Sequence, residues 1–155
     1  MKNYYEIIEE NKTKSNFVLV GFIVFVSLST YLISYALGSD SSAVVLAVLI
    51  SSLTSLGGFY YSDKIVLAMS GARVATKKEF FNFYTVTENL TKVAGIPMPK
   101  LFVIDDTALN AFATGRDPEH AVICATTGTL QSLTRSELEG VIAHEITHIK
   151  NFDIR

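Results

Sequence analysis

Residues 17–37 and 43–61 are two runs of 21 and 19 residues that contain no charged side chain. A helix of about 20 apolar residues crosses a hydrocarbon core about 30 Å thick, so each run predicts a membrane span. A soluble core would have to cover both, and a chain of 155 residues has little left over to do so. A cleaved leader fits poorly: Glu6, Glu9 and Glu10 precede the first run, the run is too long, and a second follows at once. Only Gly38, Ser39, Asp40, Ser41 and Ser42 join the spans, which predicts an antiparallel hairpin with both flanks on one side of the bilayer. Lys2, Lys12 and Lys14 precede the first span, Lys64, Arg73, Lys77 and Lys78 follow the second, and the link has no basic residue. Basic residues stay on the cytoplasmic side, so both flanks are expected there.

The chain thus divides into a tail and hairpin (residues 1–61) and a remainder (62–155) of ordinary soluble composition. The 49% hydrophobic content and mean hydropathy of +0.34 come largely from the first part. A net charge of -2 with interspersed signs makes nucleic acid a poor partner. The single cysteine, Cys124, lies in the apolar run 121–125 and reads as a small buried hydrophobe. In the remainder, apolar spacing predicts a helix over 77–94, stopped by Gly95, Pro97 and Pro99. Short β-prone runs follow at 101–104, 108–114 and 121–125, the last two joined by a turn containing Gly115, Asp117 and Pro118. Thr134 and Glu137 are spaced as a capping box and open a helix reaching about Asn151.

On that last helix the order His144, Glu145, Ile146, Thr147, His148 forms an H-E-x-x-H motif. Side chains four apart on a helix share a face, so both imidazoles reach one ion, with Glu145 beside them. Imidazole nitrogen suits Zn²⁺, whose catalytic sites take three protein ligands and leave a position for water. A neighbouring carboxylate then serves as the proton acceptor. Leu138, Ile142, Ile146 and Ile149 fall on the opposite side for burial, and Gly140 leaves the histidine side open. His120, after the turn, reads as a solvent-facing hairpin residue. Asp153 lies five residues past His148 and is a candidate to orient a ligand from behind, but a continued helix would point it away from the histidines, so surface charge or a helix-end role is the favoured reading.

The stretches Asn110-Ala111-Phe112-Ala113-Thr114-Gly115-Arg116 and Gly140 to Asn151 closely resemble the HtpX family of membrane proteases, as do 95–100 and 127–130. The resemblance implies a zinc endopeptidase of bacterial or archaeal inner membranes, facing the cytoplasm, with roles in stress response and membrane-protein quality control. Its implied partners are polypeptide substrates, membrane proteins among them, and the lipid bilayer. It further implies that Asn110, Ala111, Phe112, Ala113 and Thr114 form the edge strand against which substrate lies, a mode in which main-chain bonds tolerate many sequences. The family draws a third zinc ligand, a glutamate, from a helix well downstream; no glutamate follows Glu145 here, so a carboxy-terminally shortened product is expected, weak in zinc binding and inactive alone.

The expected fold class is therefore α+β: a two-span helical hairpin, then a partial zincin-like domain of helix, short sheet and H-E-x-x-H helix. The sites expected are His144 and His148 for Zn²⁺ and Glu145 for catalysis. A competing reading is a non-enzymatic membrane-anchored interaction protein or degenerate relative that uses its edge strand to bind a partner. Metal sensing or transport is weaker, because neither span holds a charge or a histidine.

Overall fold

The computed structural model describes residues 4–154; Lys2 and Arg155 lie outside them. The chain forms two compact units, residues 12–62 and residues 63–155, the latter joined by the opening stretch up to Asn11.

In the first unit, helix α1 (Tyr4–Ala36) starts well before the expected span and α2 (Ser41–Tyr60) follows after a tight link. Both are long and apolar enough to cross a membrane. Several of their hydroxyls bond within the helix pair, as suits an apolar environment. Thr30, Ser52 and Ser55 donate to carbonyls one turn back, at 2.8–2.9 Å. Ser27 and Ser52 hydroxyls meet between the two helices at 3.0 Å, polar glue of the kind that fixes helix pairs in lipid.

The second unit is a four-stranded mixed sheet with helices on both faces. Its elements are α3 (Ser62–Met69), β1 (Arg73–Val74), α4 (Phe81–Ala94), β2 (Lys100–Ile104), β3 (Ala111–Thr114), β4 (Val122–Thr126), α5 (Thr127–Ser132) and α6 (Arg135–Asn151). Strand order is β1-β2-β4-β3, with β2 and β4 parallel and both outer pairs antiparallel. β4 is central and buried throughout, which suits its uninterrupted apolar sequence. On one face Leu101, Val103, Ile123 and Ala125 pack against Phe83 and Val86 of α4 and Leu138, Ile142, Ile146 and Ile149 of α6. On the other, Val122 and Cys124 meet Leu67 of α3.

Three sequence expectations need correction. The helix expected over 77–94 begins only at Phe81. Arg73 bonds Glu79 at 2.8–2.9 Å and sits over the Phe80 ring at 5.3 Å, holding 77–80 as a turn folded back on β1. The strand expected from 108 begins at Ala111, because 105–110 form a loop tied to the start of α5. Asn110 thus stands just before the edge strand. Finally, α3, β1 and α5 were not anticipated; each is short and gains its stability from tertiary contacts.

Candidate metal centre

α6 presents the H-E-x-x-H residues because both of its ends are fixed. At the front, the Thr134 hydroxyl accepts from the Glu137 amide, while Glu137 Oε2 accepts from the Thr134 amide at 2.8 Å. The Thr134 hydroxyl and backbone bonds hold the Glu137 carboxyl below the usual carboxylate range. Leu138, Ile142, Ile146 and Ile149, each no more than 4% exposed, anchor the helix to the sheet. The opposite side carries Gly140, where an added Cβ would meet nothing within 4 Å, and the two histidines.

His144 Nε2 and His148 Nε2 stand 3.0 Å apart, with ring centroids 4.5 Å apart and planes nearly perpendicular. Behind them, the chain takes a left-handed conformation at Phe152 (φ 59°), the sole positive φ outside glycine among the described residues. That reversal brings Asp153 back, and its Oδ2 lies 2.9 Å from His148 Nδ1. The expectation that Asp153 points away is thus overturned: the helix does not continue, and φ-space that a helical wheel omits decides the outcome. With Nδ1 turned to Asp153, Nε2 is the nitrogen of His148 left for a ligand role.

Glu145 faces β3. Its Oε2 accepts from the Ala113 amide at 2.8 Å. Small side chains at Ala111 and Ala113 face the α6 side of the sheet and let helix and strand approach closely. β3 is an edge strand, and its start is clamped by the segment that opens α5. Asn110 N donates to Thr129 Oγ1 at 2.7 Å, Thr126 Oγ1 donates to the Ala108 carbonyl at 2.6 Å, and Gly128 N donates to the Asp106 carbonyl at 2.8 Å. A Cβ on Gly128 would lie 2.2 Å from the Thr107 carbonyl oxygen, so only glycine fits. The sequence reading marked 127–130 by resemblance alone; its physical role is to seat the edge strand.

His120 lies on the hairpin as expected. Its Nδ1 is 2.6 Å from Asp117 and its Nε2 2.6 Å from Arg116, and among the described residues it does not join the α6 pair in a group able to hold a metal. Cys124 is fully buried, and burial pushes its thiol up to about 11.

The donor chemistry fits zinc in part. Two nitrogens bound to one ion at 2.0–2.1 Å with tetrahedral angles stand about 3.3 Å apart, within a few tenths of an ångström of the observed separation. Among the described residues, however, no group of three His, Cys, Asp or Glu side chains converges to hold an ion.

Fold and site together define an α+β domain that presents an H-E-x-x-H helix against the edge of a mixed sheet, preceded in the chain by a pair of apolar helices. Residues 77–155 match the profile of peptidase family M48. The chain is 41% identical over 152 residues to the protease HtpX homolog of Ligilactobacillus salivarius, covering 97% of this chain and 52% of the relative. It is 43% identical over 156 residues to the homolog of Dictyoglomus turgidum, covering 98% and 50%. The Streptococcus thermophilus homolog gives 41% over 152 residues, covering 97% and 51%. The chain belongs to peptidase family M48, in its HtpX branch. It spans about half the length of these relatives.

Proposed function

We propose that this chain is the membrane-anchored portion of a zinc endopeptidase that hydrolyses peptide bonds in polypeptides, membrane proteins among them. The observation that carries this reading is the pairing of His144 and His148 Nε2 on one face of α6, with the adjacent Glu145 bonded to the edge strand. His144 and His148 would hold the ion, and Asp153 would orient His148. When bound, zinc supplies Lewis acidity that activates water and polarises the scissile carbonyl. Glu145 takes the proton at a carboxylate oxygen and later hands it to the leaving amine. Asn110, Ala111, Phe112, Ala113 and Thr114 would bind substrate by strand addition, with Asn110 at the mouth rather than within the strand.

A catalytic zinc site takes three protein ligands. In this reading the third comes from the half of the relatives' length that this chain does not span. The 155 residues alone should then bind zinc weakly and cleave little. The two apolar helices would anchor the domain in the plasma membrane with both flanks cytoplasmic, as the flanking basic residues favour. Cleavage of casein by the protein at its relatives' length, in detergent, tests the proposal. Chelation should abolish cleavage, zinc should restore it, and Glu145→Gln should eliminate it. Full activity in the Glu145→Gln protein would overturn the assignment.

A further inference from the structure

The Asn110 carbonyl accepts from the Thr126 amide at 3.0 Å, so Asn110 is a bonded position of the β3–β4 ladder. Bonded and non-bonded pairs alternate along an antiparallel ladder. With Ala111 opposite Ala125, Phe112 opposite Cys124 and Ala113 opposite Ile123, the amides and carbonyls of Ala111 and Ala113 point to the open edge. Of those four groups, the Ala113 amide is already taken, by Glu145 Oε2.

Glu145 is half-buried, and among the described residues its carboxylate has no hydrogen-bond partner besides the Ala113 amide. A flexible glutamate left free would sample several rotamers. One charge-assisted bond from a rigid strand fixes Oε2 and leaves the second oxygen for the proton-acceptor role. It also fixes the height of the base along the strand on which a peptide would lie.

Resting on the hydrolase reading above, we infer that the backbone amide of Ala113 is the positioning group for Glu145. An extended peptide then pairs with both outward groups of Ala111 and with the Ala113 carbonyl, and leaves the Ala113 amide to the base. The substrate strand and the proton acceptor are thereby locked in one register.

The test uses amide exchange. Phe112-Ala113 and Asn110-Ala111 are each unique dipeptides in the chain, so paired carbonyl-¹³C and amide-¹⁵N labelling isolates both amides in micelles. The Ala113 amide should exchange about tenfold or more slowly than that of Ala111, which also points outward. Glu145→Ala should remove that difference, and Glu145→Gln, whose amide oxygen still accepts, should restore part of it. Equal exchange at both sites in the unsubstituted chain, or protection that survives Glu145→Ala, overturns the inference.

In the protease assay, Ala113→Pro deletes the donor at a position where an edge strand tolerates proline. It should lower kcat about tenfold or more with KM nearly unchanged, while Ala113→Gly, which keeps the amide, should lower kcat far less than Ala113→Pro does. A raised KM at unchanged kcat would give the amide to the substrate instead and overturn the inference. If Ala113→Pro fails to fold, the exchange measurement decides. Absence of cleavage by the unsubstituted protein would count against the hydrolase reading, with the Glu145 contact still decided by exchange.

Discussion

Replacing Gly128 by alanine should damage the second unit through backbone crowding alone. The new Cβ would sit 2.2 Å from the Thr107 oxygen, 2.5 Å from its carbon and 2.8 Å from the Ala108 oxygen. Ordinary contact needs about 3.4 Å or more, so the Thr107 carbonyl must retreat by roughly 1 Å; all three atoms are backbone and no side chain can swing aside. Overpacking of this kind costs about 1–3 kcal/mol. The retreat also strains the Gly128 amide and Thr127 hydroxyl bonds to the Asp106 carbonyl, 2.8 and 3.0 Å, worth about 1 kcal/mol each. The combined loss is about 2–4 kcal/mol. For a domain of this size that lowers Tm by roughly 10 °C or more. Gly140→Ala is the internal control, since nothing lies within 4 Å of its added Cβ. There the gain in helix propensity should raise Tm by a few degrees, for about 0.5–1 kcal/mol. Thermal unfolding of the chain in micelles, followed through tyrosine signals, reads both. Equal shifts for the two variants would refute the close-approach reasoning.

Thr134→Ala should cost about 1 kcal/mol through loss of the cap, visible as earlier thermal unfolding. Because the Glu137 carboxyl is held below its unfolded value, its contribution is present above the ordinary glutamate pKa of about 4.3 and fades as pH falls through the folded value. Denaturant titrations at pH 7 and pH 3 should show the Thr134→Ala penalty shrinking in acid. Asp153→Ala should weaken zinc binding about 10–100-fold by freeing the His148 ring, which competition with a chromophoric chelator would register. Cys124 should stay unreactive to maleimide in the folded chain at pH 7.5 and react on unfolding. That silence permits topology mapping: a cysteine at Ser41 should label from outside intact cells and one at Ser136 should not, the reverse pattern contradicting cytoplasmic flanks.

Much of the architecture follows from periodicity and punctuation that act locally. The uncharged runs, the Thr134–Glu137 cap and the four apolar residues of α6 are patterns within one element, and the structure contains each of them. What escaped depends on tertiary geometry. α4 starts late because Arg73, outside it, captures Glu79 and Phe80. The role of Asp153 depends on one left-handed residue, Phe152, where a bulky side chain gives no sequence hint of positive φ. The bond between Glu145 and Ala113 joins residues 32 apart and follows from strand register, which one sequence does not specify. The Thr126-Thr127-Gly128-Thr129 sequence reads as a turn at Gly128, but the carbonyl that Gly128 must admit comes from a loop distant in sequence.

The claim on which the rest depends is that His144 and His148 hold one metal ion while Glu145 does not. Zinc titration against a competing chelator, on the chain in micelles, measures it directly. The unsubstituted chain should bind one equivalent. His144→Ala and His148→Ala should each weaken binding at least about 100-fold, since a ligand is lost, and Glu145→Gln should change it less than about threefold. Undiminished binding in either histidine variant, or loss of binding in Glu145→Gln, would contradict the assignment.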